Sequence, residues 1–346
     1  MQNPVRANAI LLAAGLICVA GLPGAWTMAT TPARDLTLQF GDGATQRLYE
    51  NRFEDNFPFG ASIRHAWAAL KLGLMGEPAD GAILGKNGTF FTAEEFQAPD
   101  ADINFATELA NTKMAVEALG ATLVPVIVPD KARMLASELK RPRSEQFQSR
   151  YDDLLQLIAS RGLHAIDLRP ALSASGSFMV TDTHWSPQGA QSTAAVVAEH
   201  THDLIDTHIA FETTQGDTRA FDGDLIAFVD TGPWRPMVGP STETITTYDF
   251  VSAHDQGGSG LGLFDEMVIP VALVGTSFSA REDFYFPDFL KVAFQADLTS
   301  YALEGLGPFE PMQRFLKDKS VSENPPQIVI WEIPERYINT WSHTNE

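Results

Sequence analysis

Cysteine is almost missing from this chain: Cys18 is the single one among 346 residues, and it lies in an apolar N-terminal stretch. Everything after it is free of thiols, which excludes an internal disulfide framework, a CxxC redox pair and a cysteine zinc site. Positive charge is scarce as well. Lys and Arg number 24 against 44 Asp and Glu, a formal net charge of −20. So acidic a surface repels phosphate backbones and argues against nucleic acid as a partner. Long apolar runs are confined to the N-terminus, so a polytopic membrane protein does not fit. Repeats and low-complexity linkers are lacking too. With 44% hydrophobic and 20% charged residues, the composition is that of a globular protein able to bury a core.

The N-terminus reads as an address. Arg6 is the only charged residue before Arg34, and it precedes the run Ala9 to Ala20. A basic residue followed by an apolar segment predicts a secretory signal over residues 1–26. The uncharged span from Ala7 to Trp26 is about 20 residues, long enough to remain as an uncleaved membrane anchor instead. In a bacterium either reading places the rest in the periplasm, free or tethered to the inner membrane. Residues 27–346 are expected to form one domain.

From residue 80 onward, strand patterns alternate with helix patterns. Strands are predicted at Ala82–Leu84, Thr122–Val128, Leu163–Leu168, Val268–Val274 and Gln327–Ile333. Pro125 sits awkwardly inside the second. Helices are predicted at Ser62–Leu74, Phe105–Leu119, Tyr151–Ser160, Gln188–Ile205, Phe284–Phe294 and Pro311–Leu316. Ser186-Pro187 supplies a cap and a first-turn proline for the fourth helix. Residues 209–267 look irregular. This alternation predicts an α/β fold, a parallel sheet with helices on both faces, and sites in such sheets form at the carboxyl ends of strands.

Two clusters carry chemistry. In Val180-Thr181-Asp182-Thr183-His184, Asp182 and His184 stand two apart and point the same way in an extended segment. A carboxylate beside an imidazole fixes its tautomer and stabilises the imidazolium; a D-x-H pair also serves as metal ligands. The second cluster, Val274-Gly275-Thr276-Ser277-Phe278-Ser279, follows an apolar strand. It is similar to a G-x-S-x-G elbow with Ser279 in place of the second Gly. Together the clusters offer orienter, base and nucleophile in the chain order Asp, His, Ser. His200, His202 and His208 lie near a helix end without acidic partners at ligand spacing, so they are read as capping or solvated. No cofactor or metal is expected. Lys131, Arg133, Lys140, Arg141, Arg143 and Arg150 form the one basic stretch, read as a solvated helix face, with contact to an anionic polymer or membrane partner as the alternative. Trp185, Tyr285 and Trp331 are aromatic candidates for stacking on a ligand, though packing suits Trp331.

The segments TDTHWSPQGA and VALVGTSFS, with YENRFEDNFPF, GAILGKNGTFF, LVPVIVPDKARM, GLHAIDLRPAL, EGLGPFEPM and IVIWEIPERYI, resemble the alginate O-acetyltransferase family (AlgJ/AlgX type) of the SGNH hydrolase superfamily. The resemblance runs over about residues 35–340. It implies an SGNH-like domain in permuted order, with the Asp-His motif before the serine. It implies Ser277 as nucleophile, His184 as base and Asp182 as its orienter. It also implies a polysaccharide acceptor and a membrane-bound O-acyltransferase as acetyl supplier. Thr299-Ser300 stands near where relatives carry an asparagine, so Thr276 or Ser300, with the Ser277 N–H, is expected to complete the oxyanion hole. Arg336 is expected to orient acetyl or sugar. The competing readings are a carbohydrate esterase with the same triad and a non-catalytic scaffold of an export machine. The acceptor polymer stays open, neutral glucans included.

Overall fold

The computed structural model describes residues 21, 23–30, 44–57, 60–98, 104–206, 208–252 and 269–338. The apolar run Ala9 to Ala20 lies outside the described residues. Among the described residues no helix is long and apolar enough to cross a membrane. Residues 27–346, expected as one domain, divide between two compact units: Met1–Asp80 with Ile226–Ser241, and Gly81–Leu225 with Thr242–Glu346.

The first unit holds the helices Ala44–Asn56 and Gly60–Met75. The second of these stops at Gly76, whose positive φ of 67° suits a helix end. The excursion 226–241 packs on this helix: His65 Nε2 lies 3.2 Å from Asp230 Oδ1. Gly232 is needed there, since a Cβ would lie 2.3 Å from the His65 ring.

The second unit is built on a four-stranded sheet in the order β3 (Thr122–Val128), β8 (Ile328–Pro334), β6 (Val271–Val274), β7 (Leu298–Ser300). Every pairing in it is parallel. Strand residues alternate between two cores, as the pleat requires. Val124, Val126, Leu273 and Ile330 face one core with the helices Pro187–Thr201 and Phe286–Phe294. Leu123, Ile127, Ala272, Val274, Val329 and Trp331 face the other, with the helices Phe105–Ala118, Glu145–Ser160 and Phe309–Lys317. A sheet buried on both faces accounts for the near-continuous apolar strands. Pro125 is tolerated because β3 lies at the edge. A small antiparallel pair, β1 (Ala82–Leu84) and β2 (Phe90–Thr92), precedes this sheet in the chain.

Two expectations are corrected. Leu163–Leu168 forms no strand. The Tyr151 hydroxyl donates to Ile127 O at 3.1 Å and accepts from the Leu168 N–H at 3.1 Å. A phenol thus bridges the gap a strand ladder would close. Within 209–267, the segments β4 (Phe211–Phe221) and β5 (Glu243–Ser252) pair as a regular antiparallel ribbon. Its polar outer face hides the alternation, and the register shifts between Gln215 and Thr218. Its inner aromatics Tyr248 and Phe250 meet Phe289 at 5.0 and 5.3 Å.

Candidate active site

Ser277 opens a short helix, Ser277–Ala280, directly after β6. The turn between them closes on β8. A Cβ at Gly275 would lie 2.6 Å from Glu332 Oε2 and 2.8 Å from Ser279 Oγ, so only glycine fits. Glu332, on β8, accepts from the Thr276 N–H at 2.7 Å, from the Thr276 hydroxyl at 3.1 Å and from the Ser279 hydroxyl at 3.0 Å. Burial pushes its carboxyl up to about 7, against the pull of those bonds. One buried carboxylate thus pins both sides of the serine turn.

Asp182 and His184 sit on a tight loop rather than at a strand end. Phe178 and Trp185 bridge its legs, and the Ser186 N–H donates to Ser177 O at 2.9 Å. Ser186 then caps the helix Pro187–Thr201, accepting from the Gly189 N–H at 3.2 Å. Gly189 has no room for a side chain, since a Cβ would lie 2.1 Å from Ser177 O.

These two turns bring three side chains into line. Asp182 Oδ1 is 2.6 Å from His184 Nδ1, and His184 Nε2 is 2.8 Å from Ser277 Oγ. The imidazole is held by Phe278, edge-on at 4.6 Å, and by Phe284, stacked at 5.5 Å. Asp182 also accepts from the His184 N–H at 2.9 Å, from the Asp224 N–H at 2.8 Å and from Arg281 Nη1 at 3.2 Å. Burial pushes its carboxyl up, but the His184 bonds and charge and the Arg281 charge outweigh it and hold the group at about 2. Asp182 is therefore an anion at any physiological pH. Ser277 stays partly exposed at the end of the line, open to a substrate.

Several residues that sequence reasoning missed build this geometry. Lys131 Nζ donates to three carbonyls, Phe90 O at 2.6 Å, Asp182 O at 2.9 Å and Val180 O at 3.1 Å. Burial pulls the ammonium down to about 8, while Glu95, Glu243 and Asp182 hold it up. Glu243 accepts from the N–H groups of Val180 and Thr181, each at 2.7 Å, and from the Thr181 hydroxyl. Asp224 accepts from the Thr183 N–H at 2.8 Å and holds Oδ2 3.6 Å from His184 Nδ1. The one available signal was a charge inside an apolar run, as Glu332 is inside QIVIWEI.

The remaining candidates fall elsewhere. The basic stretch is neither a solvated face nor a docking strip at its core. Arg143 and Arg150 pair with Asp130 at 2.7 and 2.5 Å, and Arg133 pairs with Glu335 at 2.6 Å, all in buried surroundings. With Lys131 buried too, Lys140 and Arg141 are the only exposed ones among those six basic residues. Trp185 is fully buried against Phe278 and Phe286, at 5.0 and 4.7 Å, and so is unable to stack on a sugar. Trp331 is core as well. Arg336 pairs through Nε with Glu94 at 2.8 Å and stacks on Phe278 at 5.4 Å, so it buttresses the residue after Ser277. Thr276 spends its hydroxyl and N–H on Glu332, which removes both as oxyanion donors. Ser300 lies opposite Leu273 on β7, and its hydroxyl accepts from the Ala302 N–H at 3.4 Å. His200, His202 and His208 bond separately, to Val196 O, Asp203 and Phe294 O, and do not converge. Among the described residues one cluster is of metal-ligating type, Asp182, His184 and Asp224, with ligand atoms within 4.8 Å of one another. Its His184 Nδ1 is already engaged by Asp182.

Comparison with known proteins gives this geometry its family. A family model described as "SGNH hydrolase-like domain, acetyltransferase AlgX" matches residues 82–335. The chain is 32% identical to "Probable alginate O-acetylase AlgJ" of Pseudomonas aeruginosa, over 98% of this chain and 90% of that protein. It is 30% identical to the protein of the same name from Azotobacter vinelandii, over 95% and 86%. Its fold matches the solved O-acetyltransferase domain of Pseudomonas putida AlgJ with a TM-score of 0.64, at 29% identity, over 75% of this chain and 92% of that one. The fold is thus shared with a solved relative, and the chain belongs to the AlgX-type acetyltransferase family of SGNH hydrolase-like domains.

Proposed function

We propose that this protein moves acetyl groups onto hydroxyls of an exported polysaccharide through an acetyl-serine intermediate. The observation that carries the proposal is the unbroken line from Asp182 through His184 to Ser277, at 2.6 and 2.8 Å. His184 takes the Ser277 proton as Oγ attacks the acetyl carbonyl, and Asp182 stabilises the imidazolium without taking the proton. The tetrahedral intermediate collapses when His184 returns the proton to the leaving group of the donor. A sugar hydroxyl, deprotonated by His184, then attacks acetyl-Ser277 and regenerates the serine. The Ser277 N–H makes no hydrogen bond within the described residues and is the oxyanion donor in this scheme. One such donor contributes about 3–4 kcal/mol in comparable sites.

The relatives are named for alginate, and a polyuronate is the first acceptor to test. The mature chain acts in the periplasm, beside a membrane-bound O-acyltransferase that supplies acetyl. The test is product partition. The enzyme is given an activated acetyl ester with and without acceptor oligosaccharides, neutral and uronic, and the acetate and acetylated sugar are quantified. Transfer that grows with sugar at the expense of acetate supports the proposal. Acetate release indifferent to every acceptor makes the protein an esterase.

A further inference from the structure

The net charge of −20 is not spread evenly. The unit Met1–Asp80 with Ile226–Ser241 carries seven Lys and Arg against eight Asp and Glu, a net of −1. The other unit carries the remaining 17 against 36, a net of −19. Exposed apolar side chains are divided the opposite way. Of the twelve large exposed hydrophobic residues among the described ones, eight belong to the nearly neutral unit.

The helix Gly60–Met75 concentrates both features. Arg64, Trp67, Lys71 and Leu74 fall at helical spacing along one line of its surface. Trp67 is 49% and Leu74 50% exposed, while Ala69 and Leu72, on the opposite side, are buried. The helix contains no acidic residue. Met75 ends it, 59% exposed, and Trp234 and Met237 add 41% and 75% exposure on the excursion that packs against it. A helix face of alternating cations and apolar groups, one of them Trp, is the pattern that settles into a lipid headgroup layer. Cations near an anionic bilayer add electrostatic attraction, while a net charge of −19 is repelled from it.

We propose that the smaller unit is a membrane-surface module, with the Arg64–Trp67–Lys71–Leu74 face lying in the headgroup region of an anionic bilayer. This contact is separate from whatever the N-terminal apolar run does, and it is independent of the acetyl chemistry.

The experiment uses the full chain reconstituted in vesicles of phosphatidylcholine with or without phosphatidylglycerol. Trp67→Cys in a Cys18→Ser background takes a polarity-sensitive fluorophore, and Met114→Cys, in the acidic unit and 62% exposed, takes it as the control. The expected result is a blue shift and strong quenching by nitroxide lipid at position 67, greatest with phosphatidylglycerol, and neither at position 114. Adding Arg64→Glu and Lys71→Glu is expected to weaken the engagement at position 67 by roughly tenfold or more. Ser277→Ala is expected to keep it, which separates this proposal from the catalytic one. Water-like emission at position 67 in every vesicle overturns the proposal. So does a shift that appears without lipid and rises with protein concentration, which assigns the face to a second copy. A shift that appears only when a multi-pass acyltransferase is co-reconstituted also overturns it, and assigns the face to that protein.

Discussion

Replacing Glu332 by Gln tests whether one buried carboxylate governs both the stability and the Ser277 turn. In the folded protein burial raises this group from 4.5 to about 7. A carboxyl raised on folding is protonated more readily in the native state. Its contribution is therefore fully favourable below pH 4.5 and is lost as the pH rises through 7. The size of that loss is about 3 kcal/mol, from 1.36 kcal/mol per pH unit. Glu332→Gln removes the titration but keeps an acceptor oxygen for the Thr276 N–H. Urea unfolding of both proteins between pH 5 and 8 is the assay. The wild type is expected to lose about 2.5 kcal/mol more than the variant across that range, other groups cancelling in the difference. The variant is also expected to show a lowered kcat with little change in KM, because its amide NH2 cannot accept from the Thr276 and Ser279 hydroxyls as the second carboxyl oxygen does. Parallel pH profiles for the two proteins would refute the reasoning.

Three other outcomes follow from the same geometry. Asp182→Asn is expected to lower kcat by about 10⁴, because an amide cannot accept from every donor that Asp182 satisfies. Asp182 is held at about 2, below its ordinary 3.8, so the wild type has about 2 kcal/mol of stability above pH 4 that disappears as the pH falls through 2. Acid unfolding curves of the two proteins measure it. Gly275→Ala puts a methyl 2.6 Å from Glu332 Oε2 and is expected to cost about 1–3 kcal/mol in denaturant melts along with most of the activity. Lys131→Met takes the Nζ donor from the buried Phe90 and Asp182 carbonyls, while Val180 O keeps the Phe90 N–H, and is expected to destabilise by about 2–3 kcal/mol or more, with kcat falling in the fraction that folds.

Three of the sheet's four strands were legible because they are apolar runs separated by helices of the right period; Thr122–Val128 was read to the residue, while the short, polar β7 was not read. Leu163–Leu168 was misread because its composition is strand-like while a tyrosine hydroxyl bridges it to β3. The Asp182, His184 and Ser277 line was legible because each residue stands in a compact motif. Its supports were not. Lys131, Glu243 and Glu332 lie far from that line in sequence, and charge engaged by tertiary contacts has no local signature. For the same reason the basic stretch 131–150 looked solvated. Its partners Asp130 and Glu335 are brought to it only when β3 and β8 pair. Trp185 was misread as a stacking platform because sequence shows an aromatic, not what covers it; nor does it show that Arg336 pairs with Glu94.

The most direct test of the central claim is intact-protein mass spectrometry after brief mixing with an activated acetyl ester, comparing wild type with Ser277→Ala. Ser277 is partly exposed, and among the described residues its hydroxyl hydrogen-bonds to His184 alone, so the variant should fold. The account predicts one transient acetyl adduct on the wild type, located to Ser277 by peptide mapping and absent from the variant. Equal acetylation and equal turnover in both proteins would contradict it.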